Sequence, residues 1–109
     1  MDVSPITVRY YRTEAGRCPF KEWLESLTSH TQEAVDARVT RLCRGLFGDH
    51  KYLGEGIFEL RFHMGPGYRI YYGLEGRTLV ILLEAGDKKT QPADVETAKH
   101  FWRDYLRRI

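Results

Sequence analysis

The chain has 109 residues, enough for one domain with a single modest core and too few for two. Hydrophobic residues make up 42% and charged residues 29%, which excludes a disordered chain, and a formal charge of +2 is too small for the whole surface to bind nucleic acid tightly. Met1–Tyr10 lacks a basic stretch followed by an apolar one, and the longest apolar run, Leu79–Leu83, is far too short to cross a membrane. With two cysteines, Cys18 and Cys43, too few for a disulfide framework, a reducing cytoplasmic setting is expected.

Ile6–Arg12 mixes β-branched and aromatic residues and predicts a first strand. Pro19 suits the first turn of a helix, and Phe20, Trp23, Leu24 and Leu27 recur at helical spacing behind it. Ser29 followed by Gln32 resembles a capping box, and Val35, Val39, Leu42 and Leu46 mark a second helix ending near Gly45 or Gly48. These two helices are expected to form a hairpin.

From Ile57 the period changes to two. Phe58, Leu60 and Phe62 are expected to pack, with Glu59, Arg61 and His63 on the other face. The glycines and proline of His63–Gly67 predict a reversal, after which Tyr68, Ile70, Tyr72 and Leu74 alternate against Arg69, Tyr71 and Gly73. Glu75-Gly76 makes a tight turn, and Thr78–Ala85, apolar throughout Leu79–Leu83, predicts a strand buried on both faces inside a sheet. Beyond the turn Gly86–Gln91, Pro92 opens a final helix with a stripe of Val95, Ala98, Trp102, Tyr105 and Ile109, beside a basic row of Lys99, Arg103 and Arg107. The order is β-α-α-β-β-β-α, an α+β fold with a mainly antiparallel sheet packed against helices, in one domain spanning residues 1–109.

Alternation lets Arg61 and Arg69 converge across the hairpin, with His63 at the loop mouth and Lys88 and Lys89 in the turn after the last strand. Tyr71 shares the face of Arg69 and is the candidate for stacking on an unpaired base, while Tyr68 and Tyr72 pack inward. This cluster holds no serine, cysteine or paired carboxylate, so an attacking group has to come from the substrate. RNA carries one in its 2′-hydroxyl, which needs a proton acceptor, charge neutralisation at phosphorus and a donor for the leaving oxygen. Cations serve the second need, and His63 or a lysine serves as the acid-base partner. The four histidines, His30, His50, His63 and His100, show no metal-ligand spacing, so neither a metal nor a cofactor is expected. The plain alternatives are a surface ion pair of Arg61 with Glu59, a solvated turn at Lys88 and Lys89, and an ordinary loop histidine at His63.

Three segments carry a family resemblance: Glu59-Leu60-Arg61, Gly67-Tyr68-Arg69-Ile70-Tyr71-Tyr72, and Leu83-Glu84-Ala85-Gly86-Asp87-Lys88-Lys89-Thr90-Gln91 followed at once by a helix. Together they resemble the phage-derived addiction-module killer proteins, a HigB-like branch of the RelE/ParE toxin superfamily. The resemblance implies a RelE-like domain that acts as a metal-independent, ribosome-dependent mRNA endoribonuclease, neutralised by a cognate antitoxin of helix-turn-helix type. It implies that Arg69 stabilises the transition state, that Lys89 acts at the scissile phosphate, and that Arg61 is the basic residue of the preceding strand. Lys88 and Tyr71 fall to substrate binding. Glu59 departs from the pattern, since RelE itself often has a basic residue there. Two other functions share the expected fold: a ParE-like gyrase poison, and an RNA-binding module that cuts nothing.

Overall fold

A strand that is apolar at every position needs cover on both faces, and the computed structural model, which describes residues 5–109, supplies it. The expectation that no leader begins at Met1 lies in part outside the described residues. The elements run β1 (Thr7–Tyr10), α1 (Pro19–Glu25), α2 (Ser29–Cys43), β2 (His50–Gly54), β3 (Ile57–Arg61), β4 (Arg69–Glu75), β5 (Leu79–Gly86) and α3 (Gln91–Arg108). They form one five-stranded sheet in the order β1-β5-β4-β3-β2. The β1–β5 pair is parallel and every other pair antiparallel. The α+β class with a mainly antiparallel sheet is therefore what forms, and none of its helices is long and apolar enough to cross a membrane.

The sheet holds one strand more than the sequence predicts. His50–Gly54 pairs with β3 as an edge strand, with His50 opposite Leu60 and Lys51 opposite Glu59. Its first three residues are exposed, so no apolar alternation announced it. The second helix also starts differently: Thr28, not Ser29, is the cap, its hydroxyl accepting from the Thr31 amide at 3.3 Å. The Gln32 side chain donates instead to the Leu27 carbonyl at 2.9 Å. Leu46 lies beyond the end of α2 and is 58% exposed, so the apolar face stops at Leu42.

One face of the sheet packs Leu60, Phe62, Ile70, Tyr72 and Leu82 against Phe20, Val35 and Leu42 of α1 and α2. The opposite face, expected to carry only polar residues along β3, is also closed. There Ile57, Tyr71, Ile81 and Leu83 pack under Ala98 and Trp102 of α3. Contact this close depends on Gly73: a Cβ there would overlap the Trp102 ring. Ile109, the last residue of the expected stripe, is exposed at the helix end.

The far end of α3 is fastened by a carboxylate. Asp104 accepts from the Tyr11 hydroxyl and from Arg107 and Arg108 at 2.7 and 2.6 Å. The bond from Tyr11, and then that from Arg107, holds its carboxyl down at about 2. Of the basic row on this helix, Lys99 and Arg103 reach Glu55 of the β2–β3 turn, at 2.9 and 3.7 Å, and Arg107 reaches Asp104.

Two outcomes follow. Gly73→Ala forces the Trp102 ring away from the sheet and lowers the unfolding free energy by about 2 kcal/mol in urea titrations. Because Asp104 titrates lower in the folded state than in the unfolded chain, its stabilisation is complete above the ordinary carboxylate value and fades as pH falls toward about 2. Melting curves between pH 5 and pH 2 should thus fall more steeply for the wild type than for Asp104→Asn.

Candidate functional site

Arg61 and Arg69 are direct cross-strand partners at the open end of β3 and β4. The two guanidinium groups share a carboxylate that the sequence placed on a polar surface. Glu59 is 1% exposed, and its Oε1 lies 3.6 Å from Arg69 Nε and 4.0 Å from Arg61 Nε. Its Oε2 accepts from the Gln91 amide at 2.6 Å, which ties the first turn of α3 to β3. The surface ion pair considered for Arg61 and Glu59 is thus replaced by a buried carboxylate between two arginines.

Arg69 is also nearly buried, at 8% exposure. Its Nη1 donates to the carbonyls of Phe62, Gly67 and Tyr68 at 3.4, 3.2 and 3.1 Å, so the side chain pins the loop between β3 and β4. Its Nε is sealed from solvent with no hydrogen bond, whereas Nη2 makes none and is not sealed. That nitrogen is the one able to meet a ligand.

At the outer rim, Arg61 donates through Nη2 and Nε to Asp49 Oδ1 at 2.8 and 3.1 Å. Asp49 Oδ2 lies 2.7 Å from Nε2 of His63, whose side chain is 81% exposed. The Arg61 bond, more than that of His63, holds the Asp49 carboxyl below its ordinary range. Asp49 was missed in the sequence because it sits alone in a glycine-flanked turn. Its backbone is fixed from behind by Arg38 of α2, which donates to the carbonyls of Phe47, Asp49 and Arg61 at 3.0, 2.9 and 2.9 Å.

The Lys88-Lys89 turn is held by its own side chains. Asp87 Oδ1 accepts the amides of Lys89 and Thr90 at 2.8 and 3.2 Å, and both lysines are exposed. Lys88 folds back over Gly67, where φ is +77° and a Cβ would approach its Cε to 2.9 Å. The turn therefore meets the β3–β4 loop, and Gly86 stands opposite Arg69 in the sheet. Just behind, burial raises the Asp94 carboxyl above its ordinary range, with Asp87 adding to the effect.

One expected site residue is removed. Tyr71 is fully buried, stacked among the residues under α3, so it presents no ring to an unpaired base. Its hydroxyl has no hydrogen-bond partner, and burial, then the Glu59 charge, raises its pKa. Tyr72 is buried as expected, and Tyr68 packs edge-on against Trp23 at 5.9 Å.

The protein is a small α+β domain with two arginines, Arg61 and Arg69, paired across one end of its sheet. Residues 22–102 match the model of the family described as Phage derived protein Gp49-like (DUF891), and the chain belongs to that family. The match contains every site residue from Asp49 to Gln91. The chain is also similar to a protein of Haemophilus influenzae described as uncharacterized, 47% identical over 81 residues, which are 73% of this chain and 82% of the other.

Removing the central carboxylate leaves Arg69 buried beside Arg61 with no counter-charge. Glu59→Ala is expected to lower the unfolding free energy by about 3 kcal/mol. His63→Ala, on an exposed side chain, should change it by less than about 0.5 kcal/mol. Chemical denaturation of the two variants side by side checks the contrast.

Proposed function

We propose that this protein is the toxin of a type II toxin-antitoxin pair, a RelE- and HigB-like endoribonuclease that cuts mRNA on the ribosome. The observation that supports this reading most is the pairing of Arg61 and Arg69 across β3 and β4, with the His63–Asp49 pair at the rim and Lys88 folded over the adjoining loop. No serine or cysteine occurs beyond Cys43, so the site has no protein nucleophile of either kind and suits a substrate that brings its own. Membership of a phage-derived family agrees with an addiction module.

In this mechanism the RNA 2′-hydroxyl attacks the adjacent phosphorus. His63 takes its proton, oriented by Asp49, and the leaving 5′-oxygen takes a proton from the Lys88-Lys89 side. The products are a 2′,3′-cyclic phosphate and a 5′-hydroxyl. Arg69 Nη2 and Arg61 face the charge that builds on the phosphorane, already aimed by bonds to the backbone and to Asp49. The net charge of +2, with Arg61, Lys99, Arg103 and Arg107 all engaged in ion pairs, favours RNA held in place by the ribosome over capture of free RNA.

Mapping of 5′ ends in cells expressing the protein tests the proposal. Wild type is expected to create new 5′-hydroxyl ends inside translated regions, and Arg61→Ala and Lys89→Ala to reduce them roughly 100- to 1,000-fold without loss of folding. Absence of such ends, or a DNA-damage response in their place, rejects it.

A further inference from the structure

Among the described residues the sheet stops at β1; just before this strand the outward amide of Ile6 donates to the Cys43 carbonyl at 3.1 Å, and along β1 itself the edge is open. The amides of Thr7 and Tyr11 donate to the carbonyls of Thr78 and Leu82 at 2.7 and 3.0 Å. The odd-numbered residues therefore turn their backbone groups to β5, and Val8 and Tyr10 turn theirs outward. Among the described residues no backbone group pairs with these two from outside. Three of the four residues of the strand are exposed. Of the usual protections of an edge, β1 has short length and the charge of Arg9 but neither proline nor bulge, whereas the opposite edge strand β2 carries a register shift between Tyr52 and Gly54.

A cavity lies on each side of this strand. One of about 560 Å³ is lined by Ile6, Arg44 and Arg77, and one of about 300 Å³ by Arg9, Arg12 and Arg108. Arg108 is held by Asp104, but Arg9, Arg12, Arg44 and Arg77 have no salt bridge among the described residues. Four guanidinium groups without an ion pair among the described residues thus flank one short strand on a molecule whose total charge is only +2.

We propose that the β1 edge binds an extended acidic segment of a partner protein, which joins the sheet as a sixth strand. Pairing with Val8 and Tyr10 supplies affinity, and acidic side chains alternating along the segment meet the arginines in the two cavities. A second copy of the chain fits poorly, because pairing β1 with β1 brings Arg9 and Arg12 of both copies together. A nucleic-acid backbone also fits poorly: the edge offers amide donors and carbonyl acceptors, and phosphate oxygens only accept. β5 and β4 separate this edge from β3, so the proposal stands apart from the nuclease reading.

Amide exchange in the ¹⁵N-labelled full chain tests it, with a synthetic peptide alternating glutamate and valine, its lysine-valine counterpart and a single-stranded RNA oligomer as probes. The glutamate peptide is expected to bind and to slow exchange at Val8 and Tyr10, while Thr7 and Tyr11 are slow with or without it. Charge reversal at Arg9→Glu with Arg12→Glu should weaken binding at least about tenfold. Val8→Pro, which removes an outward amide at an edge, should abolish it, whereas Val8→Ala, which loses the same packing on the core but keeps the amide, should still bind. The proposal fails if the glutamate peptide does not bind, if it slows exchange only elsewhere, or if the lysine-valine peptide or RNA protects the same two amides equally well. It fails also if concentrating the protein alone protects them.

Discussion

The carboxylate of Glu59 is the constraint on which the working end of the molecule depends. A buried charge of this kind is tolerated only when its surroundings neutralise it and fill its hydrogen-bonding capacity. Here the partners come from three places in the chain: the charges of Arg61 beside it on β3 and Arg69 across on β4, and the amide donor of Gln91 at the start of α3. Satisfying one side chain therefore fixes the strand pair, the helix entry and the direction of two guanidinium groups together. A hydrophobic residue at this position would pack under α3 but would leave Arg69 buried without a counter-charge.

Arginine plays a second part, as a substitute for regular structure. The segments around the site, Phe47–Asp49 and Phe62–Tyr68, run outside the strands, so their carbonyls need donors from elsewhere. Arg38 serves the first and Arg69 the second, each through several bonds from one planar group. Arg38 additionally lies over the Phe62 ring at 4.9 Å from its centre, so its own burial is partly offset by the aromatic face. Asp49 inherits its position from this scaffold and passes it on to His63, an exposed side chain that is oriented only by that contact.

Much of this was legible in the residues, and the exceptions share a cause. Period-two alternation placed Phe58, Leu60, Phe62, Ile70 and Tyr72 correctly and brought Arg61 opposite Arg69, because register follows from which face is buried. The same alternation misread Glu59 and Tyr71, since a polar residue every second place signals a wet face only if nothing covers it. Leu79–Leu83 held the missing information: a strand apolar on both sides implies a layer on each, and its β4 and β3 neighbours must lie under the same helix. β2 escaped notice for the opposite reason, because a short edge strand of His, Lys and Tyr buries too little to leave a pattern. Asp49, defined by contacts 12 and 14 residues away, has no local signal at all.

The two faces of the sheet differ in what they bury. The layer under α1 and α2 is apolar through Phe20, Val35, Leu42, Leu60, Ile70 and Leu82, and it is the larger of the two apolar clusters. The layer under α3 is mixed. Its C-terminal half is closed by Trp102 and by the Asp104 contacts, while its N-terminal end sits over Glu59, the unbonded Arg69 Nε and the unbonded Tyr71 hydroxyl. Buried polar atoms without partners disfavour the folded state, so they are sustainable only where the rest of the domain over-determines the geometry. Their concentration at one end of one layer, against Arg69, is a cost that the Glu59 contacts, the sheet and the fastened half of α3 carry together. Such an end is aimed by the rest of the domain while two of its own buried polar atoms stay without a hydrogen bond.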